Sequence, residues 1–320
     1  MPLESINVTI ITINVKGDFM KNINEKSATR YVIEKIIICL IIFMGSSILI
    51  GILLGVSLGV LSGVLSTDLS YLLENEKTNM IFSLYGQILL IVITCLYVKF
   101  SEKRSLTSIG LNKKISDYGY GVLIGSILVT LSVILAVIFK GIEYKGFYEN
   151  INYITILIFL GGFIIQGATE EIVIRGFLMT SLTKKVSLKA SVIITSILFT
   201  ILHFGSLLEA KPIYILIGII NLFLISIVFS LLIIKRKNIW SACAAHSVWN
   251  FLLYNFYGLN VSGISEVKES IFKFNVSKDS IFNGGSFGLE SSLLTIFVLA
   301  ITVMIMIKKD KKGLDESINL

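Results

Sequence analysis

Charge is scarce in this chain. Only 15% of its 320 residues are charged and 54% are hydrophobic, and mean hydropathy is +0.86, whereas a soluble domain carries about 25% charge. That shortage excludes an ordinary soluble domain and points to a polytopic membrane protein with lipid as its main solvent. Cysteine is rarer still. Cys39, Cys95 and Cys243 lie in apolar stretches without metal-type spacing, so they read as small buried hydrophobes and no disulfide framework is implied. No internal repeat is evident, which removes the usual signature of an inverted-repeat transporter. The net charge of +7 is no argument for nucleic acid, because the basic residues flank apolar runs, where they set orientation. Histidine is the scarcest chemistry-bearing residue. There are two, His203 and His246, and both fall inside apolar runs.

Runs long enough to cross a hydrocarbon core of about 30 Å lie near 36–66, 80–98, 119–139, 153–175, 190–208, 213–234, 239–257 and 291–307. The expected fold is an all-α polytopic transmembrane helical bundle of about eight spans. The first run is too long for a signal-peptide core and reads as an uncleaved span. Alternating the loops between two sides places 20 basic residues on one and 7 on the other, with Arg175 inside a span. That asymmetry predicts cytoplasmic N and C termini. The chain then divides into a cytoplasmic segment 1–35, accessory spans over 36–150 and a core over 151–257. An extracytoplasmic loop, 258–290, and a last span with a basic tail, 291–320, complete it. Gly51, Gly55, Gly59 and Gly63 recur every four residues. They form a smooth face that predicts close approach of a neighbouring backbone, and Gly121 and Gly125 read the same way.

Ionisable groups at membrane depth cost about 2.5–3.5 kcal/mol each on insertion scales, so they are seldom kept without a role. Glu171 and Arg175 are four residues apart and share a helical face, where they can neutralise each other. Glu170 is turned from that face by about 100° and is left to face a cavity. Phe199 and His203 share a face at the same spacing, as do His246 and Asn250. With a turn near Lys185, Glu170 and His203 each lie ~24–26 Å from it and are level with each other. His246 lies ~10 Å beyond the Lys235–Lys237 turn, and together these depths predict a site opening toward the inner leaflet. A carboxylate, two imidazoles and a carboxamide around one pocket are equipped for proton transfer.

These residues resemble the signature of the CPBP family of intramembrane proteases, which includes the type II CAAX prenyl endopeptidases and the bacterial Abi proteins. The three motifs read Glu170-Glu171-Ile-Val-Ile-Arg175, Phe199-Thr-Ile-Leu-His203 and His246-Ser-Val-Trp-Asn250. The resemblance covers about 155–255. It implies an intramembrane endopeptidase in which Glu170, with His203, activates a water, and His246 and Asn250 stabilise the oxyanion. Glu171 and Arg175 would support the helix, with Phe199 beside them. A competing version has Glu170, His203 and His246 holding a divalent metal such as zinc, with no other cofactor implied. The expected partners are the lipid bilayer and a peptide or lipidated protein substrate. The high Ile, Lys and Asn content fits an AT-rich coding sequence and a bacterial plasma membrane, where peptide maturation or bacteriocin self-immunity are contexts by analogy. Two other functions share these residues. One is a non-enzymatic immunity or scaffold protein, and the other is a proton-coupled transporter using Glu170 and the histidines as a relay.

Overall fold

The computed structural model describes residues 4–262, 270–276 and 278–309, with the side chains of 4–26 and of Leu73 excepted. Parts of the expected outer loop (263–269) and basic tail (310–320) therefore lie outside the described residues, as do the side chains of most of the N-terminal segment. Each of the eight apolar runs becomes a helix. They are α1 (Glu4–Leu65), α2 (Glu76–Ser101), α3 (Asp117–Ile138), α4 (Tyr153–Leu182), α5 (Leu188–Leu202), α6 (Pro212–Arg236), α7 (Trp240–Phe251) and α8 (Leu293–Lys309). Their starts follow local chemistry. Asn75, Asn152 and Ser187 each accept a bond from a backbone N–H in the first turn, from Thr78, Thr155 and Ala190, as capping side chains do. Pro212 stands at the start of α6, where it needs no N–H partner. Lys237 closes the same helix in the left-handed region, at φ 53°.

Among the described residues α1, α2, α3, α4 and α6 are long and apolar enough to cross a membrane by length and composition. The others are shorter: α5, α7 and α8 have 15, 12 and 17 residues, or about 18–26 Å at 1.5 Å per residue. One expectation is corrected here, because the chain is not wholly helical. Strands β1 (Glu143–Phe147) and β2 (Phe272–Asn275) pair antiparallel, with Glu143 opposite Asn275 and Tyr144 opposite Phe274. The second strand comes from the segment 258–290 expected as an extracytoplasmic loop.

The bundle has two distinct ends. At the basic end, Glu102 binds Lys35 and Arg104, each at 2.8 Å. Arg104 reaches on to Thr180 and Ser181 at 2.7 and 2.9 Å. Asp117 accepts from Arg236 and Asn238. These contacts tie together the turns after α2, α4 and α6. At the ribbon end, Lys211 pairs with Asp279 at 2.6 Å and Asn283 donates to the Gly141 carbonyl at 2.9 Å, beside the β1–β2 pair.

α7 is buried nearly throughout and gripped on two sides. A Cβ on Gly125 would lie 2.5 Å from Val248 and 2.6 Å from the Ala245 carbonyl, and one on Gly121 would meet the Ser241 carbonyl. From α4, a Cβ on Gly167 would lie 2.7 Å from the Ser247 nitrogen. These three glycines let α3 and α4 press against the helix that carries His246. The α1 glycines behave otherwise. Nothing approaches Gly51, Gly55, Gly59 or Gly63 within 4 Å, because α1 packs through another face that buries Cys39 and Ile42.

Candidate functional site

Three helices converge on one carboxylate. Glu170, near the middle of α4, has Oε2 3.7 Å from His203 Nε2 and 4.0 Å from His246 Nε2. His203 is the residue that ends α5, and its Nδ1 bonds the Phe199 carbonyl one turn back at 2.9 Å. His246 Nδ1 is 2.9 Å from Glu171 Oε1. Each imidazole thus has one nitrogen anchored by an oxygen acceptor, and that bond aims the other nitrogen at Glu170.

Glu171 and Arg175 form the fully buried base of the site. Arg175 Nη1 donates to Glu171 Oε1 at 2.9 Å, and neither side chain is solvent-accessible. Its Nη2 reaches Ser226 Oγ at 2.5 Å, and Ser226 donates to Ser196 at 3.0 Å. The guanidinium lies over Phe199, 4.5 Å from the ring centroid. α4 changes to π-helical winding over Ile172–Met179, immediately after the two glutamates, a widening common at functional sites. Glu171 Oε1 therefore serves two partners, Arg175 and His246, and couples the buried pair to the imidazole.

Four contributors were not read from the sequence. Asn250 donates to Gln166 Oε1 at 3.1 Å. Gln166 is four residues before Glu170, so it shares that helical face, and an amide in an apolar run was a legible signal. Phe229 stacks on His246 with centroids 4.9 Å apart, and Ser226 and Ser196 hold Arg175. Among many apolar and small residues of α5 and α6, these three carried no distinguishing mark.

The site meets two cavities. One, of about 970 Å³, is lined by His203, His246, Asn250, Gln166 and Phe229, and extends to Glu74–Asn79, Ser262 and Glu290. The other, of about 470 Å³, is lined by Glu170, Ile174 and the α1 residues Phe43–Ser47. Phe199 and His203 line both. The larger cavity runs to the ribbon end, because α2 begins and α7 finishes there, leaving their polar ends at its mouth.

Glu170 Oε2 lies 3.7 and 4.0 Å from the two imidazole nitrogens, where two ligands of a tetrahedral zinc lie about 3.3 Å apart. Among the described residues no group of three or more His, Cys, Asp or Glu is arranged to hold a metal ion.

Residues 152–252 match the family model described as type II CAAX prenyl endopeptidase Rce1-like. This segment is an Rce1-like domain. It spans α4 to α7 and holds every side chain that converges on Glu170. Neither a curated protein nor a solved structure matches the chain. The Rce1-like domain belongs to a protease family, and with five apolar helices of spanning length the chain is a multi-pass membrane protein of the hydrolase class.

Proposed function

We propose that the chain is an intramembrane endopeptidase that hydrolyses a peptide bond in a membrane-associated or lipidated peptide. The observation that carries this reading is the position of Glu170 Oε2, 3.7 and 4.0 Å from two imidazole nitrogens. Those gaps are too long for direct hydrogen bonds, so the carboxylate oxygen is open to a water held beside the two imidazoles. Glu170 takes a proton from that water as its oxygen attacks the scissile carbonyl, while His203 Nε2 orients it, and then gives the proton to the amide nitrogen as the C–N bond breaks and the amine leaves. The developing oxyanion accepts from the second hydrogen of Asn250 Nδ2 and from His246 Nε2 when the ring carries both protons. Removing one such donor costs about 2.7–4 kcal/mol in other hydrolases. Glu171 and Arg175 touch no substrate and position His246.

The test compares peptides released by membranes carrying the native chain, Glu170→Gln and His203→Ala at equal abundance. Both variants should lose turnover by roughly 10²–10⁴-fold, the usual contribution of a general base. Full turnover by Glu170→Gln overturns the reading.

A further inference from the structure

The two ends of the bundle differ in charge as well as in architecture. Among the described residues from position 77 onward, the basic end carries thirteen Lys and Arg, in the turns at 99–114, 184–189 and 235–237 and at 308–309. The ribbon end carries six: Lys77, Lys140, Lys145, Lys211, Lys273 and Lys278. Excess Lys and Arg beside membrane spans marks the cytoplasmic side. The ribbon end is also rich in aromatic rings suited to a membrane interface, with Tyr144 and Phe147 packed on Phe272.

The large cavity belongs to that second end. Its mouth is formed by Glu74, Asn75, Glu76 and Asn79 at the start of α2, and by Ser262 and Glu290 after α7. Glu290 braces this mouth, since Oε1 accepts from Trp249 at 2.9 Å and Oε2 from the Ser262 backbone at 2.6 Å. No residue of the basic turns lines it. Chemically the mouth is carboxylates and amides with the Lys77 ammonium among them, and the floor is Phe159, Phe163, Phe229 and Tyr254. A polar mouth above an aromatic floor suits an extended peptide entering from water.

We infer that the large cavity is loaded from the extracytoplasmic face, and that the group it receives is a polar peptide segment displayed on that face. Calling this group the substrate rests on the endopeptidase reading above; the direction of access does not.

The test is thiol accessibility. Cys39 and Cys243 are buried, so only Cys95 needs replacing, by Ser, before single cysteines are introduced. Asn79→Cys and Ser83→Cys probe the mouth, and Lys185→Cys and Lys309→Cys the basic end. A membrane-impermeant methanethiosulfonate should label the first two in intact cells and the last two only after permeabilisation. Labelling of Ser83→Cys should also abolish peptide release. Mouth positions that label only after permeabilisation, or basic-end positions that label in intact cells, overturn the inference. Correct labelling in a chain that cleaves nothing leaves the access direction standing and removes the endopeptidase reading.

Discussion

Breaking the Glu171–Arg175 pair from one side should be far worse than removing it from both. Arg175→Met leaves the Glu171 carboxylate with no accessible surface and without its cation, and it also removes the guanidinium from Ser226 and from the face of Phe199. Stripping one partner from a buried pair costs about 3–5 kcal/mol, whereas replacing both with uncharged groups of similar size is often close to neutral. Glu171→Gln with Arg175→Met should therefore recover most of the loss, with a coupling of about 3 kcal/mol, at the upper end for residues in direct contact. In detergent, the single variant should melt roughly 6–20 °C lower, at about 2–4 °C per kcal/mol for a large domain, with the double variant near the native value. Turnover should nonetheless stay low in both, because His246 Nδ1 loses the carboxylate that aims it in the double variant, and in the single variant that carboxylate loses the guanidinium that fixes it. A single variant within 1 °C of native, or a double variant no more stable than the single, refutes the argument.

Gln166→Leu should lower turnover about tenfold with little change in KM, since it frees the Asn250 amide from its 3.1 Å partner and weakens an interaction made in the transition state; an altered KM alone would contradict this. Gly125→Val should destabilise by about 1–3 kcal/mol through overpacking against Val248 and Ala245, measured by thermal unfolding, and should depress cleavage by displacing α7. A chelator should leave turnover unchanged within twofold; loss reversed by added zinc would contradict the donor distances. Outside the spans, burial acts to raise the Glu102 carboxyl, but hydrogen bonds from Arg104 and Lys35 outweigh it and hold the group below its ordinary range. Its stabilising contribution is therefore present above pH about 4.5 and is lost as pH falls through the depressed folded value. Glu102→Gln should flatten that acid limb in a stability–pH series.

Much of the site was legible because its chemistry is so conspicuous in an apolar chain. Two histidines and a Glu-Glu pair have no camouflage among Ile and Leu, and spacing by four places Glu171 on Arg175 and Phe199 beside His203 in any helix. The eight helices were legible for the same reason, as uninterrupted apolar runs. What the linear order could not convey was how far each helix runs, since α5, α7 and α8 stop at 15, 12 and 17 residues. The strand pairing joins residues more than a hundred positions apart, a register that local pattern does not encode.

Residue identity by itself determined the lipid-facing character, the polar groups available and their partners one turn away. Tertiary structure decided everything that depends on distance between helices. That includes the doubling of Glu171 as partner to both Arg175 and His246, the Gln166–Asn250 bond and the choice of Gly121, Gly125 and Gly167 over the α1 glycines as contact faces. It also decided the direction in which the cavity opens. The physical reason is that helical periodicity fixes neighbours three and four residues away, while close packing between helices is settled only when the whole bundle has chosen which faces meet.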